Sequence, residues 1–302
     1  MFKDNTIKYT NMYDIKQLLY EFFEYSVNNG YRCEKRTGNI YKKVKPYAYE
    51  YYMKLQDFLN AIFLHNRRFH SNPYTMDLLM NYLKRKDRKK CKFLNFNKEW
   101  IGFSNGILNV KTCDFICDYN YDNIVVSKYI NKQFTYNIET PLVDKILDYQ
   151  LNNDDKEYIL YYFGGMLTNS KTEQVLYING ETATGKTVIA GILNECVRDA
   201  VNLSGYYSKT FLRKASIVIR DELPPNSKVF SRLINDCNEK GVPLLYMGIG
   251  EMEDSRIRTI RFNNRIDKMD LSLNKRIIQD ELPSFIYRCI LTYKRISEIE
   301  CF

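Results

Sequence analysis

The sequence predicts an α/β fold for its C-terminal half: a parallel sheet with flanking helices, built around a phosphate-binding loop. Three observations predict it. The apolar run Val175–Asn179 leads directly into Gly180-Glu181-Thr182-Ala183-Thr184-Gly185-Lys186-Thr187, which matches G-x-x-x-x-G-K-[ST] in full. An amphipathic helical stretch, 188–197, follows the loop. The apolar run 216–219 then ends in the acidic pair Asp221-Glu222, and further runs at 243–250 and 256–262 continue the strand–helix alternation of a parallel sheet.

The remaining elements follow in chain order. Residues 13–28 place Ile15, Leu18, Leu19, Phe22 and Phe23 on one helical face, 50–64 repeat the pattern with Tyr51, Leu55, Phe58, Leu59, Ile62 and Phe63, and 74–86 read as a third helix. The region 1–90 is therefore expected to be mostly helical. Its end carries a basic block, Lys84 to Lys92, which reads equally as a solvated link or as a phosphate-contact patch. Residues 91–140 change to short β-prone runs, with the turn signal Asn105-Gly106 between two of them, and form a small β-containing segment. Residues 141–302 form the expected NTPase core: Pro141 opens a helix, a second helix covers about 156–167, a short one 227–235, and Glu281–Ile296 closes the chain.

Composition narrows the classes. Apolar residues make up 45 % of the 302, enough for a real core, so wholesale disorder is excluded. Lys plus Arg exceed Asp plus Glu by 45 to 36, a net +9 that suits a phosphate-backbone partner without proving one. The abundance of Tyr, Asn, Lys and Ile has the look of an AT-rich genome, so individual tyrosines are not read as base-stacking platforms. The first residues show no apolar targeting segment, and the longest apolar stretch, around 158–167, is too short to span a bilayer. A soluble intracellular protein with free thiols is expected. Cys113 and Cys117 have a spacing that could hold zinc, but only His65 and His70 could join them and no second cysteine pair has ligand spacing.

The loop implies ATP and Mg2+ as cofactors. Backbone N–H groups of residues 180–187 and the N-terminus of the next helix suit phosphate, Lys186 reaches the β- and γ-phosphates, and the Thr187 hydroxyl ligates the metal. Chance alone would place such a motif in a chain of this length about one time in a hundred. Asp221, at a strand's carboxyl end, is expected to complete the metal shell, with Glu222 as general base for the attacking water. A cation for the γ-phosphate is expected from Arg256, Arg258 or Arg261, with Arg256 favoured.

These segments resemble the superfamily 3 helicases of DNA viruses, phages and plasmids, and most of all the NTPase half of poxvirus-type helicase–primases. The resemblance rests on IGFSNGILNVKT (101–112), on 155–187 with its G-x-x-L-T helix running into the loop, on SIVIRDE, and on RIRTIRF followed by 280–293. It implies a modified AAA+ core, a hexameric ring around DNA, and ATP-driven unwinding in viral or mobile-element replication, alongside proteins such as a primase or polymerase. It also implies an Asn at the end of the third strand. This chain has Gly248 and Gly250 there, and a short segment where the family carries a DNA-tracking hairpin. The leading expectation is an ATP-dependent DNA helicase or DNA-stimulated ATPase. The alternatives are a degenerate nucleotide-binding replication scaffold and a P-loop ATPase that does not act on nucleic acid.

Overall fold

The computed structural model describes residues 24–34, 39–55, 57, 58, 61, 94, 96–117, 124–168, 170, 175–197, 200–203, 212, 215, 217–221, 228–252, 254–268 and 270–300. The chain divides into two compact units, residues 1–97 with 120–129, and 98–119 with 130–302.

The first unit holds a three-stranded antiparallel sheet, β1 (Tyr31–Cys33), β2 (Asn39–Lys45) and β3 (Ala48–Lys54), with β2 in the middle. This corrects the expectation of a helix from residue 50: 50–54 belong to β3, and helical backbone begins at Leu55. Residue type explains the difference. Tyr49, Tyr51, Tyr52 and Met53 form a β-prone run that fits a half-solvated strand better than a helical stripe. The stripe at 13–23, the helix at 74–86 and the basic block 84–92 lie outside the described residues.

In the second unit β4 (Asn97–Phe103) and β5 (Gly106–Asn109) form the hairpin signalled by Asn105-Gly106, and β6 (Phe115–Cys117) pairs with β5. Asn105 also ties the turn down, donating to the Phe134 carbonyl at 2.9 Å and accepting from the Phe134 amide at 2.8 Å. Strand β7 (Val126–Ile130) comes next in the chain, with 126–129 belonging to the first unit, and then helices α1 (Pro141–Gln150) and α2 (Asn153–Leu167) of the second. Pro141 starts α1 where a missing N–H costs nothing. Asn152 caps α2 by accepting from the Asp155 amide.

The core sheet comprises β8 (Val175–Asn179), β9 (Ala200–Leu203), β10 (Ile217–Asp221), β11 (Leu244–Gly248) and β12 (Ile257–Arg261), all parallel, in the spatial order β12-β8-β11-β10-β9. Four of the five are the strands expected from the sequence; β9, a four-residue edge strand, was too short to stand out. Helix α3 (Lys186–Cys196) follows β8, and α4 (Lys228–Lys240) lies between β10 and β11. After β12 come a short helix α5 (Leu273–Arg276), a π-helical turn (Ile277–Glu281) and the closing helix α6 (Leu282–Glu300).

Strand alternation sorts the core into two layers. Leu176, Ile178, Ile219 and Met247 face α3, α2 and α6 with Ile189, Ile192, Phe163 and Phe285, while Val175, Tyr177, Val218 and Tyr246 face Phe230, Leu233 and Cys237 of α4. Both faces are covered, as a parallel sheet requires. Among the described residues, no helix is long and apolar enough to cross a membrane.

Candidate nucleotide site

β8 is an inner strand of the core sheet, so the loop after it opens at the sheet's carboxyl edge, where α/β proteins bind ligands. The loop's shape follows from its two glycines, each needed for a different reason. At Gly180 the constraint is space: its amide donates to the Gly248 carbonyl at 3.0 Å, and a Cβ would sit 2.3 Å from the Phe262 carbonyl oxygen. At Gly185 the constraint is conformation. Its φ of 94° is left-handed, and its carbonyl accepts from Val188 and Ile189, so it caps α3. Ala183 also has positive φ, 61°, at the loop's bend.

The loop is pinned from two sides. The Thr184 hydroxyl donates to the Glu181 carbonyl at 2.9 Å, and the Ile266 amide donates to the Ala183 carbonyl at 2.9 Å. Gln150, the last residue of α1 and buried, donates through Nε2 to the carbonyls of Thr184 (2.9 Å) and Asn264 (2.5 Å) and accepts the Asn264 amide at 2.9 Å. The sequence carried a signal for this residue. Val143, Ile146, Leu147 and Gln150 are the buried positions of α1, so one amide continues an apolar stripe.

Lys186 turns back over the loop. Its ammonium donates to the Gly180 carbonyl, to the Glu181 carbonyl at 2.6 Å and to Thr184 Oγ1 at 3.4 Å. Glu181, Thr182 and Thr187 are exposed on the loop, so the Thr187 hydroxyl is open to solvent at the start of α3. The donor set fits a polyphosphate: a helix N-terminus, a glycine-dependent cradle and one ammonium converge on a single edge.

Asp221 ends β10 at that same edge, in register with Met247 of β11, which is in turn beside Ile178 of β8. One strand thus separates it from the loop's strand. Glu222 lies outside the described residues.

The three arginines separate cleanly. Arg256 precedes β12 at the sheet's amino edge, where its carbonyl accepts the Val175 amide at 2.9 Å. A five-residue strand, about 17 Å at about 3.3 Å per residue, stands between it and its own chain's loop. Its guanidinium is held by Asp254 (2.9 and 2.5 Å) and Asn235 (2.6 Å), and this hydrogen bonding pulls the Asp254 carboxyl down to about 2. Arg258 donates to Asp155 at 3.1 Å and covers the Tyr158 ring. Arg261 is the arginine at the carboxyl edge, in register with Asn179 and 2.9 Å from Glu251.

The end of β11, where the resemblance implies an Asn, has a local explanation. A side chain at 248 would begin 2.8 Å from the Tyr246 hydroxyl, so that phenol already fills the space. The adjacent strand ties this end down: Asn179 Oδ1 accepts from the Gly250 amide at 3.2 Å, and Tyr177 donates to the Gly250 carbonyl at 2.9 Å. Sequence reading did not single out Asn179. Cys113 and Cys117 lie at the β5–β6 hairpin, and among the described residues no group of three His, Cys, Asp or Glu side chains is gathered for a metal.

No protein-family model matches the sequence, and no curated protein matches it. Solved structures do. The A form apo structure of the NrS-1 C terminal region aligns at a TM-score of 0.50 and 10 % identity, covering 92 % of this chain and 74 % of that one. An apo structure of NrS-1 residues 305–718 gives 0.47 at 13 % over the same shares, and JCV helicase gives 0.37 at 13 %, over 53 % of this chain and 60 % of that one. The first likeness is one of fold: a mixed α/β chain with a five-stranded parallel sheet between helices.

Proposed function

We propose that this protein is an ATP-dependent motor of DNA replication, a superfamily 3-type helicase or DNA-stimulated ATPase working as a ring. The observation that carries the reading is the loop 180–187 itself. It leaves the carboxyl end of β8 through one position with no room for a Cβ and one with left-handed backbone, and delivers Lys186 and Thr187 at the start of α3, with Asp221 on the same edge.

On this reading the backbone of 180–187 and the α3 N-terminus hold the phosphates. Lys186 exchanges its bonds to the Gly180 and Glu181 carbonyls for phosphate oxygens. Thr187 and Asp221 would hold Mg2+, which supplies charge neutralisation at the β- and γ-oxygens. Glu222 orients and deprotonates the attacking water. Arg256, remote from its own loop, serves the site of a neighbouring subunit, which makes turnover depend on assembly. A hexamer encircling single-stranded or forked DNA, with a primase or polymerase nearby, is the arrangement the family resemblance supports.

The test is ATP hydrolysis by the wild type, Lys186→Ala and Glu222→Gln, each with and without single-stranded DNA. Turnover that DNA stimulates and both substitutions abolish supports the motor. Normal hydrolysis by Lys186→Ala sinks it. A second reading, a nucleotide-binding scaffold without unwinding, draws on the Asn-free end of β11. Nucleotide binding without turnover in any of the proteins favours it. Turnover indifferent to DNA favours an ATPase that does not act on nucleic acid.

A further inference from the structure

Tyr149, the last residue but one of α1, lies beside the phosphate loop without being part of it. It is tied down at both ends. Its hydroxyl donates to the Arg265 carbonyl at 3.0 Å, and its own carbonyl accepts from Asn264 Nδ2. The next residue, Gln150, bonds both Asn264 and the Thr184 carbonyl. Ile266 donates its amide to the Ala183 carbonyl at 2.9 Å. Ile146 and Ile266 both close on Gly185, where a Cβ would lie 3.4 and 3.6 Å from their side chains. Residues 264–266 thus form a strap against the loop, and the Tyr149 hydroxyl is anchored to that strap.

The ring between these tethers stays open. Tyr149 is 51 % exposed, and among the described residues no other ring or cation packs on it. Tyr136, also exposed, instead has Phe134 and Tyr287 against its ring. A ring already held at its hydroxyl and its backbone loses little freedom when a flat ligand covers it. Sheet order says what reaches it. Asp221, on β10, lies two strands from β8 on one side, and the strap follows β12 on the other. A triphosphate on the loop with its β- and γ-oxygens toward Thr187 and Asp221 turns its other end toward β12 and the strap. That end carries the base.

We infer that Tyr149 stacks on the nucleobase of the bound nucleoside triphosphate, so that α1 supplies the base side of the site and the loop its phosphate side. This role rests on the nucleotide site proposed above and needs neither hydrolysis, DNA nor a second subunit. The ring face makes the contact, and the hydroxyl keeps the ring in place against Arg265.

The experiment is calorimetric titration of the full chain, with Mg2+ present, against two ligands: a non-hydrolysable ATP analogue and inorganic tripolyphosphate, which has no base. Tyr149→Ala is expected to weaken the analogue about 5- to 150-fold, the range of one base–aromatic stack, and to leave tripolyphosphate nearly unchanged. Tyr149→Phe is expected to keep most of the analogue affinity, because the ring remains. Gln150→Leu, which frees the loop instead, is expected to weaken both ligands alike. Tyr149→Trp adds a direct readout: its new indole fluorescence is expected to be quenched by the analogue and not by tripolyphosphate. Unchanged analogue affinity in Tyr149→Ala overturns the inference, as does an equal loss of both ligands or an indole that the analogue leaves unquenched. The nucleotide site survives each of these results, since wild type still binds. A wild type that binds neither ligand removes that site and the inference with it.

Discussion

Replacing Gln150 by Leu tests whether the phosphate loop is held from outside itself. The substitution keeps the volume of an α1 core position and deletes three hydrogen bonds, two donated to the Thr184 and Asn264 carbonyls and one accepted from the Asn264 amide. Each is worth about 0.5–1.5 kcal/mol net. Asn264 is exposed, so water replaces its two bonds at small cost. Thr184 is 1 % exposed, and its carbonyl loses a partner where water has little access, at about 1–3 kcal/mol. The apolar replacement recovers part of this by packing beside Ile146. The expected net loss is about 1–3 kcal/mol, a fall in Tm of about 2–12 °C for a unit of this size. The freed loop also has to be ordered again when phosphate binds, so affinity for a fluorescent ATP analogue falls as well. Gln150→Glu is expected to be worse at pH 7, because a carboxylate has no hydrogen to give either carbonyl. Thermal denaturation and analogue titration check both. A Leu variant that melts within 1 °C of wild type and binds the analogue equally refutes the view that α1 clamps the loop.

The two loop glycines should fail differently. Gly180→Ala, with a carbonyl 2.3 Å from the new Cβ, has to displace backbone and should lower stability and nucleotide affinity together; Gly185→Ala meets no atom closer than 3.4 Å and should cost only about 1–2 kcal/mol of left-handed backbone strain, as denaturant titration can separate. Acid should weaken the α1–α2–α6 junction. Burial pushes the Asp144 carboxyl up, but hydrogen bonds from Lys156 and Arg288 outweigh it and hold it below the ordinary range. Its contribution is present above the unfolded carboxylate value of about 3.9 and is lost as pH falls below that. The stability gap between wild type and Arg288→Met should therefore shrink between pH 5 and pH 3 in urea titrations. Glu281, buried, accepts the Leu142 and Val143 amides at 2.7 and 3.0 Å and so caps α1 from the π-helical turn; Glu281→Ala should cost about 1–2 kcal/mol in the same measurement.

The sequence was most legible where a single local rule decides the outcome. The loop motif, the apolar strands on either side of it and the Pro141 helix start are each fixed by a few adjacent residues, and the sheet's parallel order follows from alternation. What stayed hidden depends on residues distant in the chain. Nothing near Gly248 announces that Tyr246 fills the space of a side chain there, or that Asn179, some seventy residues earlier, bonds Gly250 at the strand's end. The same holds for Arg256. Its place on the sequence, beside an apolar strand like Arg261, gave no sense of direction, yet parallel pairing sets Arg256 at the amino edge and Arg261 at the carboxyl edge. The sheet of the first unit was missed for a different reason: Tyr is abundant throughout the chain, so the β-prone run Tyr49–Met53 did not stand out from the composition around it. The part of the candidate site legible from sequence is thus the loop, whose shape its own residues set. The Gln150 clamp, an α1 side chain bonded to the carbonyls of Thr184 and Asn264, is fixed only when helix and loop are packed together, and that is why the decisive substitution falls on it.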